Sequence, residues 1–280
     1  MIHSDKLQRL ITFAAMDNEK NMSFLDHLEE LRWRLVRSAA AIIIVSVVLW
    51  IYQGWIMEHL FLSMRRPDFI TFKWMCQLFN ICIDEIPVRM QSMTMSGQFS
   101  YALMMSIMGG VVISFPFTFY QLWGFVKPGL KTNEKSAVSG LTFYVSILFF
   151  LGITFGYLIV APLCVQFFGT YQISSEIENN FTINSYMSTI LSTVFYSGLL
   201  FLLPVATYIF TRLGIITPAF LRKYRKHAIV AVLILSAVIT PPDLISQVIV
   251  AIPITLLYEI GILVSARVEK NMIKEQIGKR

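Results

Sequence analysis

Residues 140–162 read GLTFYVSILFFLGITFGYLIVAP, twenty-three positions without one charged side chain. At 1.5 Å per residue, an uncharged run of about 18 or more is long enough to cross the apolar slab of a bilayer. A soluble amphipathic helix would place charged residues opposite its apolar stripe. Five more apolar runs flank this one, at about 36–57, 98–123, 186–210, 228–240 and 244–264. Composition agrees: 56% of the chain is hydrophobic, 14% is charged and mean hydropathy is +0.64. Soluble domains carry about 25% charged residues, so this chain lacks the polar groups to cover a water-facing surface. The expected fold is all-α, a polytopic integral membrane protein of six transmembrane helices with the last two short.

Orientation follows from the basic residues, which stay on the cytoplasmic side of a membrane protein. With the N-terminus inside, the cytoplasmic segments hold six Lys and Arg in residues 1–37, three in 127–135, five in 212–226 and five in 267–280. Nineteen of twenty-three therefore lie inside, and only Arg65, Arg66, Lys73 and Arg89 lie outside. N-in, C-in is the expected topology. Residues 1–22 read as a flexible cytoplasmic tail with no cleavable leader, 23–265 as the membrane domain, and 266–280 as a basic cytoplasmic tail. The outer segment 58–97 carries Phe69, Phe72, Trp74 and Phe79 among its polar residues, which suits a folded cap. The fifth run, Ala228–Thr240, reaches only about 20 Å as a helix against a hydrocarbon core of about 30 Å.

Several function classes are excluded. Cys76, Cys82 and Cys164 match no metal spacing, and His3, His27, His59 and His227 lie outside the span centres. No Gly-rich nucleophile elbow, HExxH or pair of intramembrane aspartates occurs, so no enzyme, cofactor or metal is expected. The net charge of +6 resides in loops and tails with no basic stripe carrying interleaved aromatics, and nucleic acid is not an expected partner. A secondary transporter would suit six spans but should show internal repeats around polar midplane sites, and the two halves of this chain share no self-similarity.

Local patterns single out a few polar residues. Ser23 with Asp26 fits a helix cap, and Phe24, Leu28, Leu31 and Leu35 recur on one face of an interfacial helix. On that helix Glu30 and Arg34 stand four apart, the spacing of a local ion pair. Glu259, about five residues inside the last apolar run, must face protein or water, or else reach headgroup water near the interface. Asp243 follows two prolines in the turn before that run and suits a helix cap, with Ser246 and Gln247 adding donors. Cys76 and Cys82, both in the outer segment, are either a disulfide or two free thiols.

Four separated motifs carry a family resemblance. Residues 24–35 (FLDHLEELRWRL) resemble the N-terminal signature of the TatC family, the multispanning receptor of the twin-arginine protein translocase. Residues 116–134 (PFTFYQLWGFVKPGLKTNE) resemble its first cytoplasmic loop, 240–247 (TPPDLISQ) its short outer turn, and 257–261 (LYEIG) its last helix. The outer segment is less similar. The resemblance implies a receptor in the bacterial cytoplasmic (inner) membrane that binds twin-arginine signal peptides of folded cargo and uses the proton-motive force. It implies TatA-like and TatB-like single-span partners and a homo-oligomer within the complex. Carried over by residue, Glu30 and Glu134 would accept the signal peptide's arginines. Arg32, Arg34, Phe125, Pro128 and Leu130 would support them, and Asp243, Gln247 and Glu259 would be structural or partner-facing polar groups. One departure stands out. The family's usual fourth-span glutamate aligns with Leu202.

Overall fold

A computed structural model of the chain describes residues 24–80, 86, 89–126, 137–174, 179–240 and 243–277. Helix α1 (Phe24–Ile51) is one uninterrupted rod of 28 residues, so the interfacial segment and the first span are continuous. The chain then leaves the membrane through α2 (Gln53–Ile56), a π turn (Met57–Phe61) and a 3-10 turn (Leu62–Arg65). Helix α3 (Ile70–Phe79) and strand β1 (Arg89–Gln91) follow, and α4 (Gly97–Val126) returns across the membrane.

Helix α5 (Ala137–Phe155), a π turn (Gly156–Val160) and α6 (Ala161–Thr170) form the third crossing. It runs on beyond Pro162, where the apolar pattern suggests an end. The π turn lies just before Pro162, and this wider turn accommodates the proline within a continuous helical crossing. Strand β2 (Asn180–Thr182) pairs in parallel with β1. The fourth crossing breaks at Phe201–Leu202 into α7 (Ile183–Leu200) and α8 (Leu203–Arg212), with Pro204 in the first turn of α8. Helices α9 (Pro218–Lys223), α10 (Arg225–Ile239) and α11 (Leu244–Ile277) complete the chain.

Among the described residues, five helical segments are long and apolar enough to cross a membrane: Leu28–Ile51, Gly97–Phe125, Gly140–Thr170, Ile183–Arg212 and Ser246–Lys274. Helix α10, with 15 residues, is shorter than these. The last helix corrects the expectation of two short ones, because α11 runs for 34 residues and continues through much of the basic tail. Between Gly261 and Gly278 there is neither Gly nor Pro to stop it, and Arg267, Glu269, Lys270 and Lys274 are good helix formers in water.

Close approach of small residues holds the bundle together, since lipid supplies no hydrophobic drive between helices. Helices α1 and α4 run antiparallel, with Ser114 Oγ donating to the Ala41 carbonyl at 3.3 Å. A Cβ at Gly110 would lie 2.9 Å from the Ile42 carbonyl oxygen. Gly152, Gly156 and Gly198 bring α5 and its π turn into similar contact with α7. Helices α8 and α11 run parallel, joined by Thr211 Oγ1 and Ser265 Oγ at 2.7 Å. Helix α10 lies antiparallel on α11, where Gln247 Nε2 donates to the Leu233 carbonyl at 3.1 Å.

The segment between α1 and α4 sits on a buried cluster that includes Met64, Phe72, Met187 and Ile190. Tyr186 donates its hydroxyl to the Phe61 carbonyl at 2.6 Å and Tyr157 to that of Leu60 at 2.9 Å. The Thr71 hydroxyl donates to the Leu158 carbonyl.

Candidate functional site

Helices α1 and α4 bring together one end of the bundle, where the N-terminal turns of α1 meet the C-terminal turns of α4. Arg34 Nε and Nη2 both donate to Glu30 Oε1, at 3.0 and 2.5 Å. The remaining amino group, Nη1, reaches across to the Gln121 carbonyl at 3.1 Å. Both side chains are about three-quarters covered (25% and 22% exposed), which makes this pair less wet than a typical surface bridge.

The placement has local causes. Ser38 Oγ donates to the Arg34 carbonyl at 2.9 Å and is itself buried, fixing this turn against the bundle. Gly124 lies under the guanidinium, and a Cβ there would fall on Nη1. A cation at this point also meets the negative end of the α4 dipole. Gln121 and Trp123 are buried beside it, and Trp123 stacks on Phe119 at 6.1 Å.

The other predicted site residues divide plainly. Arg32 is exposed and makes no ion pair among the described residues. Phe125 is partly buried at the end of α4. Glu134, Pro128 and Leu130 lie outside the described residues.

Glu259 is paired: its Oε2 accepts from Arg225 Nη2 at 2.6 Å, with the two side chains 42% and 48% exposed. The carboxylate therefore faces a protein cation at a level that is half open. The Tyr258 hydroxyl donates to the Leu221 carbonyl at 2.8 Å, tying the same level of α11 to α9. Asp243 Oδ2 accepts from the Ser246 backbone N–H at 2.7 Å and so caps α11. Leu202 stands partly buried in the break between α7 and α8, and its carbonyl accepts from Val205 and Ala206 at 2.9 and 3.0 Å. Cys76 is disulfide-bonded, Cys164 is a buried free thiol, and Cys82 lies outside the described residues. No group of three or more His, Cys, Asp and Glu occurs among the described residues that could hold a metal ion.

Sequence reasoning missed Gln121, Gly124 and Arg225. A backbone acceptor leaves no trace in residue type. Gly124 does carry a signal, because it follows Gly110 and Ser114 along the stripe of α4 that meets α1.

The sequence profile of the family described as Sec-independent protein translocase protein (TatC) matches residues 26–253. The chain belongs to the TatC family. A TatC from Blattabacterium sp. subsp. Periplaneta americana is 36% identical over 265 residues, covering 91% of this chain and 100% of that protein. One from Halalkalibacterium halodurans is 35% identical, covering 89% and 90%. Among solved structures, a crystal structure of the twin-arginine translocase receptor TatC in DDM superposes with a TM-score of 0.65. It is 30% identical, with 85% of this chain and 99% of that one covered. This TatC family member is thus a membrane protein of a protein-transport family, and Glu30, Arg34, Gln121 and Gly124 all fall within the matched region.

Proposed function

We propose that this protein is the twin-arginine signal-peptide receptor and core subunit of a translocase that exports folded proteins across the bacterial cytoplasmic membrane, driven by the proton-motive force. The observation that carries this reading is the Glu30–Arg34 pair seated on α4, just ahead of the loop that holds Glu134. Arg34 delivers both of its Glu30 bonds to one oxygen and its third to a main-chain carbonyl, so it orients the carboxylate. A guanidinium from the cargo is the natural ligand for such a carboxylate, since its planar fork matches the two oxygens where a Lys ammonium does not. Glu134 is the second carboxylate of the proposed site, with Pro128 and Leu130 as its frame.

Six spans in the N-in, C-in orientation agree with the packing. The antiparallel α1/α4 and α10/α11 pairs and the parallel α8/α11 pair follow the alternation that this topology requires. Arg32, Arg34, Arg37, Arg212, Arg225 and Arg267 then share one end of the bundle, and Arg65, Arg66, Lys73 and Arg89 the other. Single-span TatA-like and TatB-like proteins and further copies of this chain are the proposed partners. A Cys76–Cys82 bridge would brace the outer segment. Export of a folded reporter tests the function. It should require this protein and a pair of arginines in the reporter's signal peptide, and export that persists with paired lysines would refute it.

A further inference from the structure

Between α1, α4 and α7, in the outer half of the bundle, lies a half-open cavity of about 650 Å³. Leu49, Met105, Met108, Val112, Ile190 and Val194 wall it, and Gly109 lets the Leu49 side chain lie close against α4. The Tyr157 hydroxyl at its outer end is already committed to the Leu60 carbonyl. A polar solute would find almost nothing to bond, and an apolar cavity of this kind stays dry. In a bilayer an empty groove forfeits dispersion contacts along its whole lining, so it takes up hydrocarbon.

Its rim has a different chemistry. Tyr52 and Trp55 are 60% and 58% exposed there, and Trp55 stacks on His59 at 4.7 Å. Such amphipathic aromatics sit at headgroup level. Arg65 and Arg66 lie at the end of the 3-10 turn that starts after the wall residue Phe61, are exposed, and make no ion pair among the described residues. Glu58 and Asp68 are exposed nearby and form no ion pair with them.

We propose that this groove binds one acyl chain of an anionic phospholipid whose phosphate lies against Arg65 and Arg66. A guanidinium fork suits a phosphate as it suits a carboxylate. Size decides against a partner helix, because a helix 10–12 Å across with a 5.4 Å pitch fills about 500 Å³ per turn. The cavity would hold little more than one turn, whereas an acyl chain threads it lengthwise. Which leaflet supplies the lipid rests on the N-in, C-in orientation proposed above, but the binding itself does not.

The test is native mass spectrometry of the full chain released from nanodiscs of equal phosphatidylglycerol and phosphatidylcholine. One phospholipid should be retained, with phosphatidylglycerol favoured about tenfold, the gain expected from one charge-assisted contact. Arg65→Gln with Arg66→Gln should bring the two lipids to parity while one lipid is still held, and Val194→Trp should expel both. A photoreactive residue at Val112, in otherwise unaltered protein in native membranes, should form lipid adducts. Retention of no lipid, an unchanged preference in the double variant, or adducts to protein alone would overturn the proposal. Labelling of a cysteine at Arg66 from outside intact cells reads the orientation separately.

Discussion

Arg34 of α1 donates to the main-chain carbonyl of Gln121 in α4 at 3.1 Å, and the same guanidinium holds Glu30. One side chain thus joins the first two crossings and aims the proposed receptor carboxylate. Replacing Arg34 by Lys keeps the charge but loses the fork, and Gly124→Ala displaces the guanidinium while leaving both charges in place. Hydrogen bonds to charged groups contribute about 1.5–3 kcal/mol. Each variant should insert normally and lower signal-peptide crosslinking at least severalfold. Parental crosslinking by Gly124→Ala would show that the Arg34–Gln121 contact has no part in recognition.

The contact of α5 with α7 predicts a local stability effect. A Cβ at Gly152 would lie 2.7 Å from the Ser197 carbonyl oxygen and 2.9 Å from Gly198 Cα, main-chain atoms that cannot swing aside. Gly152→Ala should destabilise by about 1–3 kcal/mol through overpacking. At Gly140, on the same crossing, nothing lies within 4 Å of an added Cβ. Gly140→Ala should instead be neutral, or stabilising by up to about 1 kcal/mol. Thermal unfolding of both purified variants in detergent checks the contrast, and equal midpoints would contradict the packing.

Helix α10 is the short element of the bundle. Its 15 residues reach about 22 Å, and as the fifth span proposed above it would fall short of a hydrocarbon core of about 30 Å, which local thinning or water entry would meet. Four added apolar residues near Leu233 should remove the mismatch. Transport should fall while the protein level stays normal, and unimpaired export would separate the short helix from the transport mechanism.

Much of this architecture was legible in residue type. Long uncharged runs mark the crossings because burying a charge in lipid is costly. Pro162 misleads as an end of the third run, since the π turn that accommodates it is a main-chain event. The last helix misleads for a different reason: charged residues after Val264 mark the end of the apolar slab and not of the helix. Within the site, the Glu30–Arg34 pair follows from spacing, whereas the Gln121 carbonyl that completes it belongs to no residue type. Glu259 left two readings open because its partner, Arg225, lies 34 positions away across a turn.

The most direct test of the receptor reading is photo-crosslinking of a twin-arginine signal peptide to membranes carrying Glu30→Gln, Glu134→Gln or both. Neither residue lies inside an apolar run, so both variants should insert at parental levels. Losing one partner of a partly desolvated, charge-assisted pair costs on the order of 2 kcal/mol or more, a loss of about thirtyfold in binding. A merely local Glu30–Arg34 bridge would contribute a few tenths of a kcal/mol and leave cargo binding untouched. Each single variant should therefore crosslink weakly and the double variant hardly at all. Parental crosslinking by both single variants would contradict the assignment of these carboxylates as the signal-peptide site.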